Sequence, residues 1–384
     1  MRVGIDYRPA LVNREGIGRY TRELVRGMIE LDFDRHLGLF GYTLASRKFS
    51  YEELGLKGTR AELLRLRFPS KWMPWLLARL GKGVDDLTGG AEVFHHTSYS
   101  RLHVRRAAEV ATIHDCIYMT GDVGYVEPAT AERMTAVARE LVAGARRVLV
   151  PTEFVGAEVV LKLGVWPNRV SVVPHGCDHF ARTLPPGEIA KAQEPYILTV
   201  SRVEPRKNHL RMLTAFELLV KEGLPHRWVI AGPPGYKADV FERALAASPA
   251  RDRVEWRRFV PEAELPLLYA RADLKLFASL NEGFGFPSLE AMAAGVAVVS
   301  SCVTSMPEVC GDAAILVEPT DSERIFEAAR RILTEPELRK DFELRGRQQA
   351  RRFTWRESAK HTLIAYQKAT EPEEDDGPKL RRSI

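Results

Sequence analysis

The sequence predicts a two-domain α/β protein with parallel, doubly wound sheets. Apolar runs of strand length alternate with amphipathic helical segments, and the alternation stops at a Pro- and Gly-rich stretch near the middle of the chain before it restarts. Each half also carries a Gly-bearing loop directly after a strand. With 384 residues the chain exceeds what one ordinary core organises, so two domains of roughly 150 to 200 residues are expected.

In the first half a strand at 3–5 leads into a loop holding Asn13, Arg14, Glu15, Gly16 and Gly18, and then into a helix from about Arg19 to Leu31. Further strands are expected at 91–95, 110–113, 147–150 and 170–173. Pro185, Pro186, Gly187 and Pro195 punctuate a linker over 182–194. The second half reads as strands at 196–200, 228–231, 254–256, 274–278, 296–300 and 314–316. Two Rossmann-like halves follow from that restart. Ligands of open α/β sheets bind outside the carboxyl ends of the strands, so the site is expected in a cleft between the two domains.

Charged residues at 28% and hydrophobic residues at 45% are globular values. A net charge of +5 is too mild to imply nucleic acid. The excess is local: between Lys57 and Lys82, Lys57, Arg60, Arg65, Arg67, Lys71, Arg79 and Lys82 face a single acidic residue, Glu62. Leucines, Phe68, Trp72, Met73 and Trp75 are interleaved with these cations. That composition suits peripheral contact with an anionic membrane, and equally a surface helix whose tryptophans pack on the domain. Cys116, Cys177, Cys302 and Cys310 lack zinc-site or CxxC spacing and read as reduced cytoplasmic thiols. The start of the chain reads as a strand, not as a signal peptide, and no window approaches the ~18 uncharged apolar residues of a membrane span.

The richest segment is Glu282-Gly-Phe-Gly-Phe-Pro-Ser-Leu-Glu290. Leu274, Leu276 and Phe277 before it read as a buried strand, Gly283 and Gly285 let the backbone approach a ligand, and Ser288 is placed to cap the helix that follows. A helix N-terminus behind a Gly loop aims N–H groups at an anion, here with one carboxylate on each side. Such a site suits a polyhydroxylated phosphate ester. A second cluster, Ser201-Arg202-Val203-Glu204-Pro205-Arg206-Lys207-Asn208, puts three cations at the end of the strand 196–200, where they suit a diphosphate and the charge of a leaving phosphate.

The pairing of Arg202 and Lys207 with an E-x7-E motif, EGFGFPSLEAMAAG, resembles the retaining nucleotide-sugar glycosyltransferases of family 4, which have the GT-B fold of two Rossmann-like domains facing across a cleft. GIGRYTREL from Gly16, TIHD at Thr112 to Asp115, VPHGCD at Val173 to Asp178, LYARAD at Leu268 to Asp273 and SMPEVCGDAA at Ser305 to Ala314 agree in order and spacing. The resemblance runs to about residue 366. It departs at Ser201 and Ala278, where relatives often have Gly and Pro, and at 257–261, which lacks a common Gly. Arg206 also competes with Arg202 as a phosphate ligand.

The resemblance implies an acceptor domain over 1–185, onto which a helix at about 356–370 packs back, and a nucleotide-sugar domain over 195–355; the charged, Pro-bearing composition of 371–384 reads as a disordered tail. It implies that Arg202 and Lys207, with Arg206, bind the donor diphosphate, that Glu282 contacts the transferred sugar, and that Glu290 binds the ribose. Backbone amides of Phe284, Gly285 and Phe286 would support sugar and phosphate, Gly16 and Gly18 would face the diphosphate and the acceptor, and His114 would approach the donor sugar. No DxD-type pair suggests a metal, since Asp85-Asp86 lies in the basic segment, and no cofactor is expected beyond the donor.

The Gly loop and the His-Asp region lean toward bacterial mannosyltransferases of polysaccharide assembly. The reading is therefore transfer of mannose from GDP-mannose, or of another hexose from a UDP-sugar, to a glycan or lipid-linked acceptor at the cytoplasmic membrane face. The alternatives are a same-fold phosphorylase or epimerase, or a non-catalytic nucleotide-sugar-binding protein. The first usually needs a pyridoxal-phosphate lysine site that the sequence does not offer, the second lacks this E-x7-E arrangement, and the third would be favoured by a missing cation or carboxylate.

Overall fold

The computed structural model describes residues 1–13, 16–44, 49–69, 72–121, 124–185, 187 and 189–372. Arg14, Glu15, Lys71, Pro186 and the expected tail beyond residue 372 lie outside the described residues. Two compact units are formed, one from Met1–Thr112, Glu140–Leu149 and the described chain after Ala359, the other from Ile113–Arg139 and Val150–Ser358.

The strands of the first unit are β1 (Val3–Asp6), β2 (Leu37–Tyr42), β3 (Glu62–Leu66), β4 (Val93–His96), β5 (Ala108–Thr112) and β6 (Arg147–Val150), and they lie in the order β3-β2-β1-β4-β5-β6 with parallel pairing. The short strand β7 (Val170–Val172) follows in sequence. β2 and β3 are additions to the expected set. β2 reads Leu-Gly-Leu-Phe-Gly-Tyr, and its two glycines weaken the apolar signal although all six residues are buried. The segment 57–82 is not one helix: it splits into β3 and the helix Met73–Leu80. Met73 and Leu77, four apart, face a core of Phe40, Tyr42, Val84, Phe94 and Leu102. Trp72 and Trp75 do not pack inward. They remain 50% and 57% exposed and meet edge to face at 6.3 Å.

Asp85, nearly fully buried, accepts the backbone N–H groups of Arg105, Arg106 and Ala107 at 3.0, 2.8 and 3.2 Å. Asp86 accepts the N–H of Gly83 and pairs with Arg105 and Arg106. This acidic pair ties down a turn. A buried polar chain crosses the same unit: Tyr20 Oη lies 2.9 Å from Thr112 Oγ1, His95 Nε2 2.7 Å from the same oxygen, and His95 Nδ1 2.7 Å from Tyr366 Oη on the helix Trp355–Thr370.

The second unit holds β8 (Tyr196–Val200), β9 (Arg227–Ala231), β10 (Val254–Arg257), β11 (Leu274–Phe277), β12 (Val298–Ser301) and β13 (Ile315–Val317) in the order β10-β9-β8-β11-β12-β13, again with parallel pairing. Residues alternate between its two faces. Ile197, Trp228, Ile230, Leu274 and Leu276 enter one core, and Leu198, Val229, Ala231 and Phe277 the other. A strand covered on both faces must be apolar at nearly every position, which is why these runs were visible in the sequence. The strand order reverses at β8, so the loops after β8 and β11 flank a topological switch point, where open α/β sheets bind ligands.

Candidate donor site

Three loops of the second unit converge outside the carboxyl ends of β8, β11 and β12. The first contains the 3₁₀ turn Pro205–Lys207 and ends at Asn208, which opens the helix His209–Lys221 in the left-handed conformation with φ +62°. The Asn208 amide donates to the carbonyls of Ala278 and Pro319 at 2.8 and 2.7 Å, and Leu280 N–H donates to the Arg206 carbonyl at 2.8 Å. The basic turn is thereby locked to the loop after β11. From the third loop, Thr304 Oγ1 accepts the Glu282 N–H and Ser305 Oγ donates to the Glu282 carbonyl.

Glu282, 6% exposed, sits at the centre of this framework. Its Oε1 receives Lys207 Nζ at 2.5 Å and its Oε2 receives Arg206 Nη1 at 3.0 Å. Arg206 also donates to the Asn281 carbonyl and, through Nη2, to Glu204 at 2.8 Å. Burial pushes the Glu282 carboxyl up, but Lys207 and Arg206 together hold it below its ordinary value. The guanidinium of Arg206 is raised in spite of its burial by Glu282, Glu204 and Asp115. Lys207 is drawn down by burial and by Arg206, with Glu282 opposing. Arg202 is exposed at the mouth of the turn. Of the two competing arginines it is Arg206 that enters the ion pair.

The Gly loop continues the wall. A Cβ on Gly283 would stand 2.1 Å from the His114 carbonyl oxygen, so only glycine allows this approach. Gly285, at φ +94°, occupies the N-cap position of the helix Phe286–Ala293. Ser288 does not cap it. The residue is buried inside the first turn and its N–H donates to the Gly285 carbonyl at 3.1 Å, because the left-handed Gly285 starts the helix earlier than a serine cap would. Glu290 lies farther along this helix, 5% exposed, and its Oε2 accepts the Tyr269 hydroxyl at 2.8 Å.

Sequence reasoning missed the aromatic floor of the loop. His175 stacks on Phe286 (centroids 5.4 Å apart, planes at 10°) and on Trp355 (5.9 Å, 20°), and meets Phe284 at 4.9 Å and His114 at 5.6 Å. Burial, followed by His114, pushes His175 well below its ordinary value and keeps the stacked ring neutral. The signal was present in VPHGCD, but only the fold brings that segment beneath the Gly loop. Asp115 and Lys275 were missed too. Asp115 is partly buried, and its carboxyl is raised by desolvation, with Arg206 opposing.

The second unit thus brings together Arg206, Lys207, Glu282, Phe284, Gly285, Phe286 and Glu290, with Arg202 and His114 at the edges. Gly16 and Gly18 belong to the first unit, at the start of the helix Ile17–Ile29. Among the described residues no cluster of His, Cys, Asp and Glu could hold a metal ion, and no helix is long and apolar enough to cross a membrane. No disulfide forms among the described residues; Cys116, Cys177 and Cys310 are buried and Cys302 is exposed.

Parallel α/β sheets, a switch-point loop pair and a cation–carboxylate cluster before a helix N-terminus define a glycosyltransferase of the GT-B fold. The known proteins agree. Residues 14–179 match the Glycosyltransferase Family 4 profile and residues 182–349 that of the Glycosyl transferases group 1. The chain is 30% identical over 291 residues to the O-antigen chain mannosyltransferase B of Escherichia coli, covering 71% of this chain and 74% of that protein. Among solved structures it superposes on the sucrose-phosphate synthase of Thermosynechococcus elongatus with a TM-score of 0.71 at 18% identity, over 96% of this chain and 98% of that one. It superposes on Anabaena HepE, solved with UDP and glucose, with a TM-score of 0.68 at 14% identity, over 95% and 98% of the two chains. The protein belongs to the group 1 and family 4 glycosyltransferases.

Proposed function

We propose that this glycosyltransferase works with retention, moving mannose from GDP-mannose to a glycan or lipid-linked acceptor in cell-surface polysaccharide assembly. The observation that carries the reading is the Glu282 carboxylate held between Lys207 and Arg206 immediately before the amino end of the helix Phe286–Ala293. A carboxylate has about four acceptor sites, so Glu282 can keep both cations and still accept from sugar hydroxyls. The entering diphosphate shares Lys207 and Arg206, with Arg202 at the mouth, and the amides of Phe284, Gly285 and Phe286 add the field of the helix N-terminus. Glu290 takes the ribose hydroxyls, His114 approaches the sugar, and Gly16 and Gly18 serve the diphosphate and the acceptor. In this reading 195–355 is the donor domain and 1–185 the acceptor domain.

In the transfer the bond from the anomeric carbon to the phosphate oxygen breaks and its electron pair leaves with the diphosphate. The acceptor hydroxyl oxygen bonds the anomeric carbon on the same face, and its proton passes to the leaving phosphate. Lys207 and Arg206 stabilise the charge that builds there, the part a divalent metal plays in other transferases. The E. coli relative, a mannosyltransferase by name, supports mannose, and the nucleotide in HepE supports a nucleotide-sugar donor. The exposed Trp72 and Trp75 among the cations of 57–82 support a peripheral place at the cytoplasmic membrane face. Release of GDP or UDP from purified protein, screened over GDP-mannose, UDP-glucose and UDP-N-acetylglucosamine with and without membrane lipid extract, tests the reading. Release from GDP-mannose that rises with extract is expected; no release from any donor favours a binding protein.

A further inference from the structure

Lys275 is the second residue of β11, an interior strand of the second sheet, and pairs with Leu198 on one side and Val298 on the other. A parallel strand covered on both faces takes apolar residues there, and a lysine is almost never fully buried without a partner. Lys275 is 0% exposed, and its ammonium nitrogen has no hydrogen-bond partner. Leu274 and Leu276 fill the opposite core, so Lys275 shares the face of Phe277, the face covered by the helix that carries Glu290. Its Nζ lies 5.0 Å from the Phe277 ring centre and 5.7 Å from that of Tyr269, the residue whose hydroxyl holds Glu290. Lys207 Nζ lies 5.0 Å from the same Phe277 ring.

We infer that Lys275 is a positioning residue of the donor site, an amine enclosed against Phe277 and Tyr269 that becomes fully charged as the nucleotide binds and then holds Glu290 aligned for the ribose. The inference rests on the assignment of Glu290 to the ribose. The ammonium acts through the field and not through a hydrogen bond, which is effective where water is excluded. Glu290 from the helix above and Glu282 from the loop favour its charge, Lys207 opposes it, the Tyr269 ring lines the enclosure, and the His209 ring is itself depressed by burial first and then by Lys207 and Lys275. Burial, the largest influence, draws the amine well below its ordinary value. An anionic nucleotide entering above it draws the proton affinity back up. Nucleotide binding therefore takes up a proton at Lys275, and affinity falls as pH rises through the value of the unliganded protein.

Calorimetric titration of the full chain with GDP and with UDP, in buffers of differing ionisation enthalpy, reads both effects. Wild-type protein is expected to take up protons on binding. Lys275→Met, which substitutes an apolar chain of similar length, is expected to abolish the uptake, to weaken nucleotide binding about tenfold, the effect of removing one interacting charge, and to raise the donor KM with kcat little changed. Glu290→Gln, measured alongside, separates the two ideas. If neither nucleotide binds, or if Glu290→Gln binds as wild type does, the ribose assignment fails and the inference with it. If Glu290→Gln weakens binding while Lys275→Met matches wild type in affinity and proton uptake, the inference alone fails. Should Lys275→Met not fold, proton uptake by the unmutated protein still decides, and its absence overturns the inference.

Discussion

Lys207 and Glu282, 75 residues apart along the chain, form a buried ion pair of 2.5 Å at the mouths of two adjacent parallel strands. Lys207→Ala leaves Glu282 with Arg206 alone and removes a cation from the proposed diphosphate subsite. Turnover is expected to fall at least about 100-fold, and stability by about 3 kcal/mol, because a buried carboxylate loses a partner. Single-turnover kinetics and chemical denaturation measure the two separately; near wild-type turnover would remove Lys207 from the diphosphate role.

His175 gives a pH signature. Its folded value lies below its unfolded one, so the unfolded chain binds more protons and stability is lost as pH falls below about 6.5. His175→Phe keeps a flat ring between Phe286 and Trp355 but cannot titrate. The melting temperature of the variant should vary less between pH 5 and pH 7 than that of wild type, by about the range in which a free histidine titrates. Identical pH profiles would mean that His175 is not held neutral.

Asn208 is the clamp between the two site loops. Asn208→Ala leaves the buried carbonyls of Ala278 and Pro319 without their donor and places a Cβ-bearing residue in a left-handed position. A loss of about 2 to 4 kcal/mol is expected in denaturant unfolding. Asn208→Gly should recover only the conformational part, and a variant as stable as wild type would show that the clamp carries no load.

Trp72 and Trp75 make a separable prediction. Replacing both with serine removes exposed apolar surface without opening the core of Met73 and Leu77. Co-sedimentation with vesicles of anionic phospholipid should drop several-fold, while release of nucleotide from the donor alone stays as in wild type. Undiminished sedimentation would dissociate the tryptophans from membrane contact.

The fold was legible because parallel strands covered on both faces have to be apolar at nearly every position, as Trp228–Ala231 of β9 are, and β11 stayed legible in spite of Lys275. β2 was hidden by Gly38 and Gly41. β3 lay inside a segment whose leucines and arginines read as a membrane-seeking surface. The carboxylates Glu282 and Glu290 were legible through their spacing about a Gly loop. The partnership of Arg206 with Glu282 was not, since neighbouring arginines differ in sequence only by position, and the turn that points one inward depends on the Asn208 clamp. His175 and Lys275 were unreadable for another reason: a lone histidine or lysine acquires meaning only from what the fold stacks against it.

The order β10-β9-β8-β11-β12-β13 puts β9 and β10, which lie between Lys221 and Leu274 in the chain, on the far side of β8 from β11. Residues that meet at Glu282 are therefore neighbours through adjacent strands and not through the covalent path between them. The turn Lys221–Gly223 is exposed and lies in that path. A chain opened there and rejoined elsewhere, or supplied as two fragments, retains every hydrogen bond that builds the site, which makes this glycosyltransferase a candidate for circular permutation and fragment complementation.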